Sequence, residues 1–156
     1  MEMTRTERAV AYFVNGANCA QAVAAAFADL MGMDEKTALR MAAPFGGGLA
    51  RQREICGAVS GMCLVAGALY GYDDLTDNEA KAAHYRMIRD LCDAFRAAHG
   101  GFIICRDLLG VKNGGADTAP APSPRTEEYY RTRPCARQVG TAASILEAYI
   151  NEHPVA

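Results

Sequence analysis

Apolar residues recur at three- and four-residue intervals along most of the chain, which is the period of an amphipathic α-helix. No segment alternates apolar and polar residues as a half-buried β-strand does. Glycine, proline and capping residues separate the periodic segments and fix their predicted ends. The pattern predicts helices over residues 6–14, 18–31, 34–43, 56–70, 76–99, 104–109 and 134–151.

The fourth predicted helix lies in a stretch from Ile55 to Tyr72 that contains no charged residue and is long enough to be considered as a membrane span. It holds four glycines and little bulk, however, and glycine weakens a helix by about 1 kcal/mol unless close packing requires it. We therefore expect the central buried helix of a soluble bundle. The predicted fold class is all-α, with helices packed around this glycine- and alanine-rich helix.

The length and the remaining composition agree with one helical domain over residues 1–156. Thirty residues are alanine, the strongest helix former. Residues 111–125 contain three prolines, two glycines and few apolar side chains, which predicts a flexible surface loop between the last two helices. The net charge of −2 leaves no basic surface of the kind that binds nucleic acid.

Six cysteines are many for a chain whose first residues lack the layout of a signal peptide. We expect a cytoplasmic protein whose thiols are reduced, so the cysteines are not expected to be structural disulfides. Four of them fall at predicted helix N-termini: Cys19, Cys56, Cys105 and Cys135. Free N–H groups and the helix dipole favour a thiolate there, and the thiolate is both the nucleophile and the metal ligand.

The other two cysteines, Cys63 and Cys92, fall inside predicted helices among apolar neighbours, and we expect them to be core packing. The three histidines, His84, His99 and His153, are expected at the surface or at helix ends. Glycines 46–48 predict a tight turn leading towards Cys56, and no lysine follows at the spacing of a phosphate-binding P-loop.

The spacing of the four helix-terminal cysteines matches neither a zinc ribbon, a thioredoxin motif nor a ferredoxin motif, so the fold must bring them together. If it does, one use is thiol/disulfide chemistry, as in an oxidoreductase, with Cys56 attacking and Cys135 resolving the mixed disulfide. A second use is binding zinc or an iron–sulfur cluster. In a third interpretation the chain is a structural helical protein, able to form a homodimer, whose cysteines are incidental packing.

The segment Cys56-Gly57-Ala58-Val59-Ser60-Gly61, preceded by Phe45-Gly46-Gly47-Gly48, resembles the C_GCAxxG_C_C family of redox-active proteins. Cys19 in Asn-Cys-Ala-Gln, Cys105 in Cys-Arg-Asp-Leu-Leu and Cys135 resemble that family's other cysteines, while Ile55 stands where the family name places a glycine. The resemblance extends over roughly residues 8–150. It implies a redox role, through the thiols themselves or through a bound metal or cluster, and an unidentified redox partner.

Overall fold

The computed structural model describes residues 2–110 and 117–155. Within them the chain is all-α: a lone antiparallel bridge joins Ile55 to Ile104, and no β-strand forms. The helices are α1 (Arg5–Val14), α2 (Cys19–Ala26), α3 (Glu35–Ala42), the 3₁₀ turn η1 (Ala43–Phe45), α4 (Gly46–Leu49), α5 (Gly57–Tyr70), α6 (Asn78–Ala98), α7 (Cys105–Leu109), α8 (Glu127–Thr132) and α9 (Cys135–Glu152).

Side-chain caps define the starts of several helices. Thr4 and Asn18 each form a reciprocal capping box with the third residue of the following helix, Glu7 and Gln21. Asp34 accepts a hydrogen bond from the backbone N–H three residues on and so begins α3. These polar side chains satisfy N–H groups that a helix leaves free, which is why the predicted starts of α1, α2 and α3 hold to within one residue.

Helices α2 and α5 share the centre of the bundle with the C-terminal helix α9. Most of α2 and the inner face of α5 are buried, and Phe13, Phe27, Met62, Phe95 and Leu146 are the largest fully enclosed side chains. The predicted inward face of α9 (Val139, Ala142, Ala143 and Leu146) is confirmed. No helix among the described residues is long and apolar enough to cross a membrane.

Helix α2 ends at Ala26, five residues before the predicted end. The guanidinium of Arg5 donates to the Ala26 carbonyl at 2.8 Å, the carbonyl that the N–H of Leu30 would need to continue the helix. The same guanidinium holds Asp29 through two further bonds of 2.7 and 2.9 Å. The chain therefore turns over residues 27–32, and Phe27 enters the core.

Helix α6 begins at Asn78, two residues later than predicted. Thr76 does not cap it, because its hydroxyl donates to Asp74 at 2.7 Å, and Asp77 is the capping residue instead. Helix α8 was not predicted; Thr126 caps its six residues by accepting from the Tyr129 N–H. It lies between the predicted loop and α9. Of that loop, residues 111–116 lie outside the described residues.

Candidate functional site

Four helix N-termini open onto one cleft of about 310 Å³, which we call the cysteine cleft. Cys19, Cys105 and Cys135 are the first residues of α2, α7 and α9, and Cys56 is the N-cap of α5, as the sequence predicted. All four line the cleft. The fold thus gathers cysteines that lie up to 116 positions apart in the sequence.

Glycines bring the helix starts close together. A Cβ on Gly57 would stand 3.2 Å from the Cβ of Cys19, and one on Gly61 would stand 2.8 Å from the Ala20 carbonyl oxygen. Any side chain at these positions would push α2 and α5 apart. The small residues of α5 therefore allow the close packing of helices that the sequence analysis expected.

Two short backbone segments hold Cys56 and Cys105 side by side. The N–H of Cys56 donates to the Ile103 carbonyl at 2.7 Å, and the N–H of Cys105 donates to the Glu54 carbonyl at 2.6 Å. These bonds run in opposite directions between the chain entering α5 and the chain entering α7, around the bridge of Ile55 and Ile104. Two of the four cysteine-bearing helix starts are consequently fixed to each other before any side-chain contact is counted.

The short helix α4 and the residues that follow it turn in the left-handed sense ahead of Cys56. Gly47 and Gly48 have φ of 66° and 69°, and a Cβ on Gly48 would stand 2.7 Å from the Cβ of Cys105. The left-handed backbone continues through non-glycine residues: Leu49, Ala50 and Arg51 have φ between 50° and 66°, and Arg53 has φ of 62°. Each such residue costs roughly 1–2 kcal/mol. We call residues 46–53 the glycine turn.

The glycine turn directs two arginines at the cleft. Arg53 is only 4% exposed, and its Nη1 donates towards the Sγ of Cys105 at 3.7 Å. Arg51 lines the cleft beside it and forms an ion pair with Asp117 at 3.2 Å. On the opposite wall, the Sγ of Cys56 donates to the Gln138 side-chain oxygen at 3.8 Å.

Cys19 and Cys135 act on each other: a side-chain hydrogen bond between them is the largest cause of the pKa shift of each. That hydrogen bond lowers the pKa of Cys135 to about 7 against the opposing effect of burial, and the positive charges of Arg133, Arg125 and Arg53 lower it further. The same hydrogen bond raises the pKa of Cys19, with burial adding to it. Above about neutral pH the pair therefore shares one proton and one negative charge between its two sulfurs.

The expectation that all four helix N-termini keep their cysteines ionised was wrong for three of them. Burial raises the pKa of Cys56 to about 12, although backbone N–H groups of α5 oppose it. Burial also raises the pKa of Cys105, and the hydrogen bond from Arg53 compensates for only part of this. In these two positions the cost of placing a charge in the protein interior exceeds the effect of the helix dipole.

The described part of the predicted loop, residues 117–125, forms a wall of the cleft and is called the wall segment. The Nε of Arg53 donates to the Asp117 carbonyl at 2.8 Å, and Arg125 donates to the Phe13 and Ala17 carbonyls at 2.9 and 3.1 Å. The Arg125 guanidinium also lies 4.4 Å from the Phe13 ring centre. Side chains on both sides of the cleft thus hold this proline-rich segment in place.

Sequence analysis missed a second cysteine pair. Cys63 of α5 and Cys92 of α6 share a hydrogen bond, are half-buried, and line a second groove of about 460 Å³. Both do pack against the core, as expected. The two elements are far apart in sequence, and no local spacing indicates that these residues meet.

Sequence analysis missed two polar residues of the cleft, Gln138 and Arg125, which lie far in sequence from the cysteines that they adjoin or have no charge to indicate a role. The positive charges of Arg51 and Arg53 near Cys56, and of Arg133 near Cys135, are visible in the sequence, and all three arginines line the cleft. The contact of Arg53 with Cys105 could not be predicted, because the two residues are 52 positions apart.

The arrangement of the cysteines can be compared with that of a metal centre. Among residues 2–110 and 117–155, no three His, Cys, Asp or Glu side chains are arranged to hold a single metal ion. Tetrahedral zinc requires four ligands at about 2.0–2.3 Å from one point. The alternative that the sequence left open, zinc or an iron–sulfur cluster on the four cleft cysteines, therefore gains no support from this arrangement.

Comparison with protein families gives one match. A family model described as "Putative redox-active protein (C_GCAxxG_C_C)" matches residues 17–149, which include all four cysteines of the cleft. No curated protein and no solved structure matches the chain.

Proposed function

The chain belongs to the C_GCAxxG_C_C family of redox-active proteins, and on that premise we propose that it is a thiol/disulfide oxidoreductase whose exchanging pair is Cys19 and Cys135. The observation that carries the proposal is the position of both residues in one cleft, where each of the two side chains changes the pKa of the other. A thiol that donates to a thiolate already lies close to the position in which it can form a disulfide with it. When the two thiols form that disulfide, the protein gives up two electrons to its substrate.

Cys135 is the attacking residue in this proposal. Its thiolate attacks one sulfur of a substrate disulfide, forms a mixed disulfide with it, and releases the other half as a thiolate. The pKa of Cys135, lowered to about 7 first by the Cys19 hydrogen bond and then by nearby arginines, makes the thiolate available at neutral pH. The sequence analysis expected Cys56 to attack and Cys135 to resolve. We assign the attack to Cys135 instead, because burial raises the pKa of Cys56 to about 12 and keeps that thiol protonated.

Cys19 resolves the mixed disulfide. It loses its proton to a leaving thiolate and attacks the Sγ of Cys135, which expels the second half of the substrate as a thiolate. The protein ends with a Cys19–Cys135 disulfide, and the substrate disulfide has gained two electrons and one proton to become a thiol and a thiolate. Cys56 and Cys105 remain neutral thiols in the wall of the cleft.

The test is to trap each stage with variants. Reduced protein is treated with a small disulfide without oxygen, digested with trypsin, and mapped by mass spectrometry; Cys19 and Cys135 lie on different tryptic peptides. Wild type should give linked Cys19 and Cys135 peptides. Cys19→Ser should accumulate a mixed disulfide on Cys135, while Cys135→Ser should form neither product.

Cys56→Ser is the matched control, since it removes another thiol of the same cleft. We expect it to retain the Cys19–Cys135 linkage. A mixed disulfide that accumulates on Cys56, or no loss of thiols at either residue of the pair, would contradict the proposal. The second result would favour the interpretation of the cysteines as packing residues.

A further inference from the structure

The cysteine cleft is strongly basic. Arg51, Arg53, Arg125 and Arg133 line it, and no aspartate or glutamate of the described residues does so. The carboxylate of Asp117, just outside the lining, forms an ion pair with Arg51. One carboxylate therefore accompanies four guanidinium groups.

Arg53 is the most deeply buried of these arginines. It is 4% exposed, and its contacts in the described structure are a backbone carbonyl of Asp117 at 2.8 Å and the Sγ of Cys105 at 3.7 Å. Within residues 2–110 and 117–155 it forms no salt bridge. A buried charge without a counter-ion is costly, and a bound anion would offset that cost.

The contacts of Arg125 and Arg133 fix the orientation of their guanidinium groups but do not neutralise their positive charges. Carbonyl groups of Phe13 and Ala17 accept from Arg125, and the guanidinium groups of both arginines lie within 5.1 Å of the Tyr129 ring centre. Carbonyls and aromatic faces fix the direction of a guanidinium but leave its formal charge in place. The positive charges of both arginines therefore stay available to a ligand in the cleft.

Apolar groups complete the cleft. The ring of Phe13 and the prolines Pro120 and Pro122 line it beside the cysteines. Its volume of about 310 Å³ is at the lower end of the range for small-molecule sites. A ligand that fits has an apolar body of a few heavy atoms and carries negative charge.

We propose that the cysteine cleft takes small disulfides that carry carboxylate groups, with the arginines binding the carboxylates while the disulfide lies against Cys135. This inference rests on the proposed thiol/disulfide function and adds the substrate class to it. The chemical step is the exchange described above: the substrate disulfide gains the two electrons of the dithiol and leaves as two carboxylate-bearing thiol species.

The test compares three symmetrical disulfides of similar size that differ in charge: 3,3′-dithiodipropionate (dianionic), 2-hydroxyethyl disulfide (neutral) and cystamine (dicationic). The measured quantity is the rate at which each forms the Cys19–Cys135 linkage. At low ionic strength we expect the dianion to react at least ~10-fold faster than the dication, and added salt should reduce this ratio.

Arg133→Gln tests whether the cleft arginines cause the preference. The variant also affects the ionisation of Cys135, so the readout is the ratio of anionic to cationic rates, from which the amount of thiolate cancels. The ratio should fall in Arg133→Gln and stay unchanged in Arg89→Gln, which removes an exposed arginine of α6.

The outcomes separate the two proposals. Equal rates for the three disulfides, or a preference for cystamine, would overturn the substrate class and leave the thiol/disulfide function standing. If none of the disulfides links Cys19 to Cys135, both proposals fail. A preference that survives equally in both arginine variants would also overturn the role of the cleft.

A different observation supports a second site. Cys63 of α5 and Cys92 of α6 both line one groove, and each changes the pKa of the other; the other lining residues are Phe45, Ile55, Val59, Ser60, Leu64 and Ile103. In contrast to the cysteine cleft, no charged side chain of the described residues lines this groove. Both thiols are half-buried and so retain contact with solvent.

We infer that Cys63 and Cys92 are a second dithiol, which neutral aromatic disulfides oxidise to a disulfide between α5 and α6. One thiolate attacks the aromatic disulfide and displaces an aromatic thiolate; the second cysteine then displaces the other half. The protein loses two electrons, and the aromatic disulfide is reduced to two thiols. This site does not depend on the function of Cys19 and Cys135.

The probe is 4,4′-dithiodipyridine, added to protein that carries Cys19→Ser and Cys135→Ser. Linkage of tryptic peptides 54–81 and 90–96 is expected. Because peptide 54–81 contains both Cys56 and Cys63, further variants identify the partner: Cys63→Ser should abolish the linkage and Cys56→Ser should retain it. Absence of the linkage, or its persistence in a folded Cys63→Ser variant, would overturn the inference.

Discussion

The hydrogen bond from Cys19 to Cys135 can be tested by removing its donor. Cys19→Ala deletes the sulfur, whereas Cys19→Ser supplies a hydroxyl that can donate in its place. Since this hydrogen bond is the largest of the effects that lower the pKa of Cys135 to about 7, the alanine variant should raise the pKa of Cys135 and the serine variant should leave it near the wild-type value.

The magnitude follows from the ionisation of the thiol. A pKa lowered from 9.0 to about 7 gives Cys135 roughly 100-fold more thiolate at pH 6 than an ordinary cysteine has. A less basic thiolate is also a weaker nucleophile, which takes back roughly tenfold. Cys135 should therefore be alkylated about 10-fold faster than a free cysteine at pH 6. Cys19→Ala should lose most of this advantage.

The assay is iodoacetamide labelling between pH 5 and 10, with the Cys135 peptide quantified by mass spectrometry. The half-maximal rate of wild type and Cys19→Ser should lie near pH 7, and that of Cys19→Ala at higher pH. Identical profiles for wild type and Cys19→Ala would refute the reasoning. A Cys19→Ser profile that shifts as far as the Cys19→Ala profile would also refute it, because the serine hydroxyl would then not replace the hydrogen bond from the Cys19 thiol.

Three further predictions concern the framework of the site. Gly61→Ala should destabilise the protein by about 1–3 kcal/mol in urea unfolding, because its Cβ would meet the backbone of α2, whereas Gly67→Ala in the same helix has open space and should stabilise by up to about 1 kcal/mol. Arg5 lowers the pKa of Asp29 to about 2 through a side-chain hydrogen bond, so the stabilisation from this ion pair is present above pH 3.8 and is lost as the pH falls towards 2. In thermal unfolding at several pH values, Asp29→Asn should lose this part of the pH dependence of stability, which amounts to a few tenths of a kcal/mol. Arg125→Lys cannot hold the Phe13 and Ala17 carbonyls together and should expose the wall segment to limited proteolysis, with Arg89→Gln as the unaffected control.

Local patterns were sufficient to predict most of the bundle. Asn18 and Asp34 cap helices where the sequence placed them, and Gly110, with φ of 69°, ends α7 as predicted. These features depend on residues within one helical turn of each other. The early end of α2 could not be predicted in this way, because the residue that interrupts it, Arg5, lies 21 positions away in another helix.

The position of the four cysteines at helix starts was predicted, but their ionisation was not. The positions of the four cysteines at helix starts follow from capping and periodicity, which are local. Their ionisation depends on burial and on residues distant in sequence: Cys56 is enclosed, while Cys135 meets Cys19 and the arginines. A helix dipole can be inferred from sequence, but the desolvation that opposes it requires the packed structure.

The left-handed residues of the glycine turn have a mechanical consequence. Replacing Leu49, Ala50 and Arg51 with glycine would relieve the backbone strain of their positive φ. It would also make the turn more flexible, because glycine can adopt many more φ/ψ combinations. A side chain in the left-handed region has one narrow energy well, so the turn is stiff once the surrounding fold has formed it. The chain thus gives up some stability for a stiff turn that places the guanidinium of Arg53 beside the sulfur of Cys105.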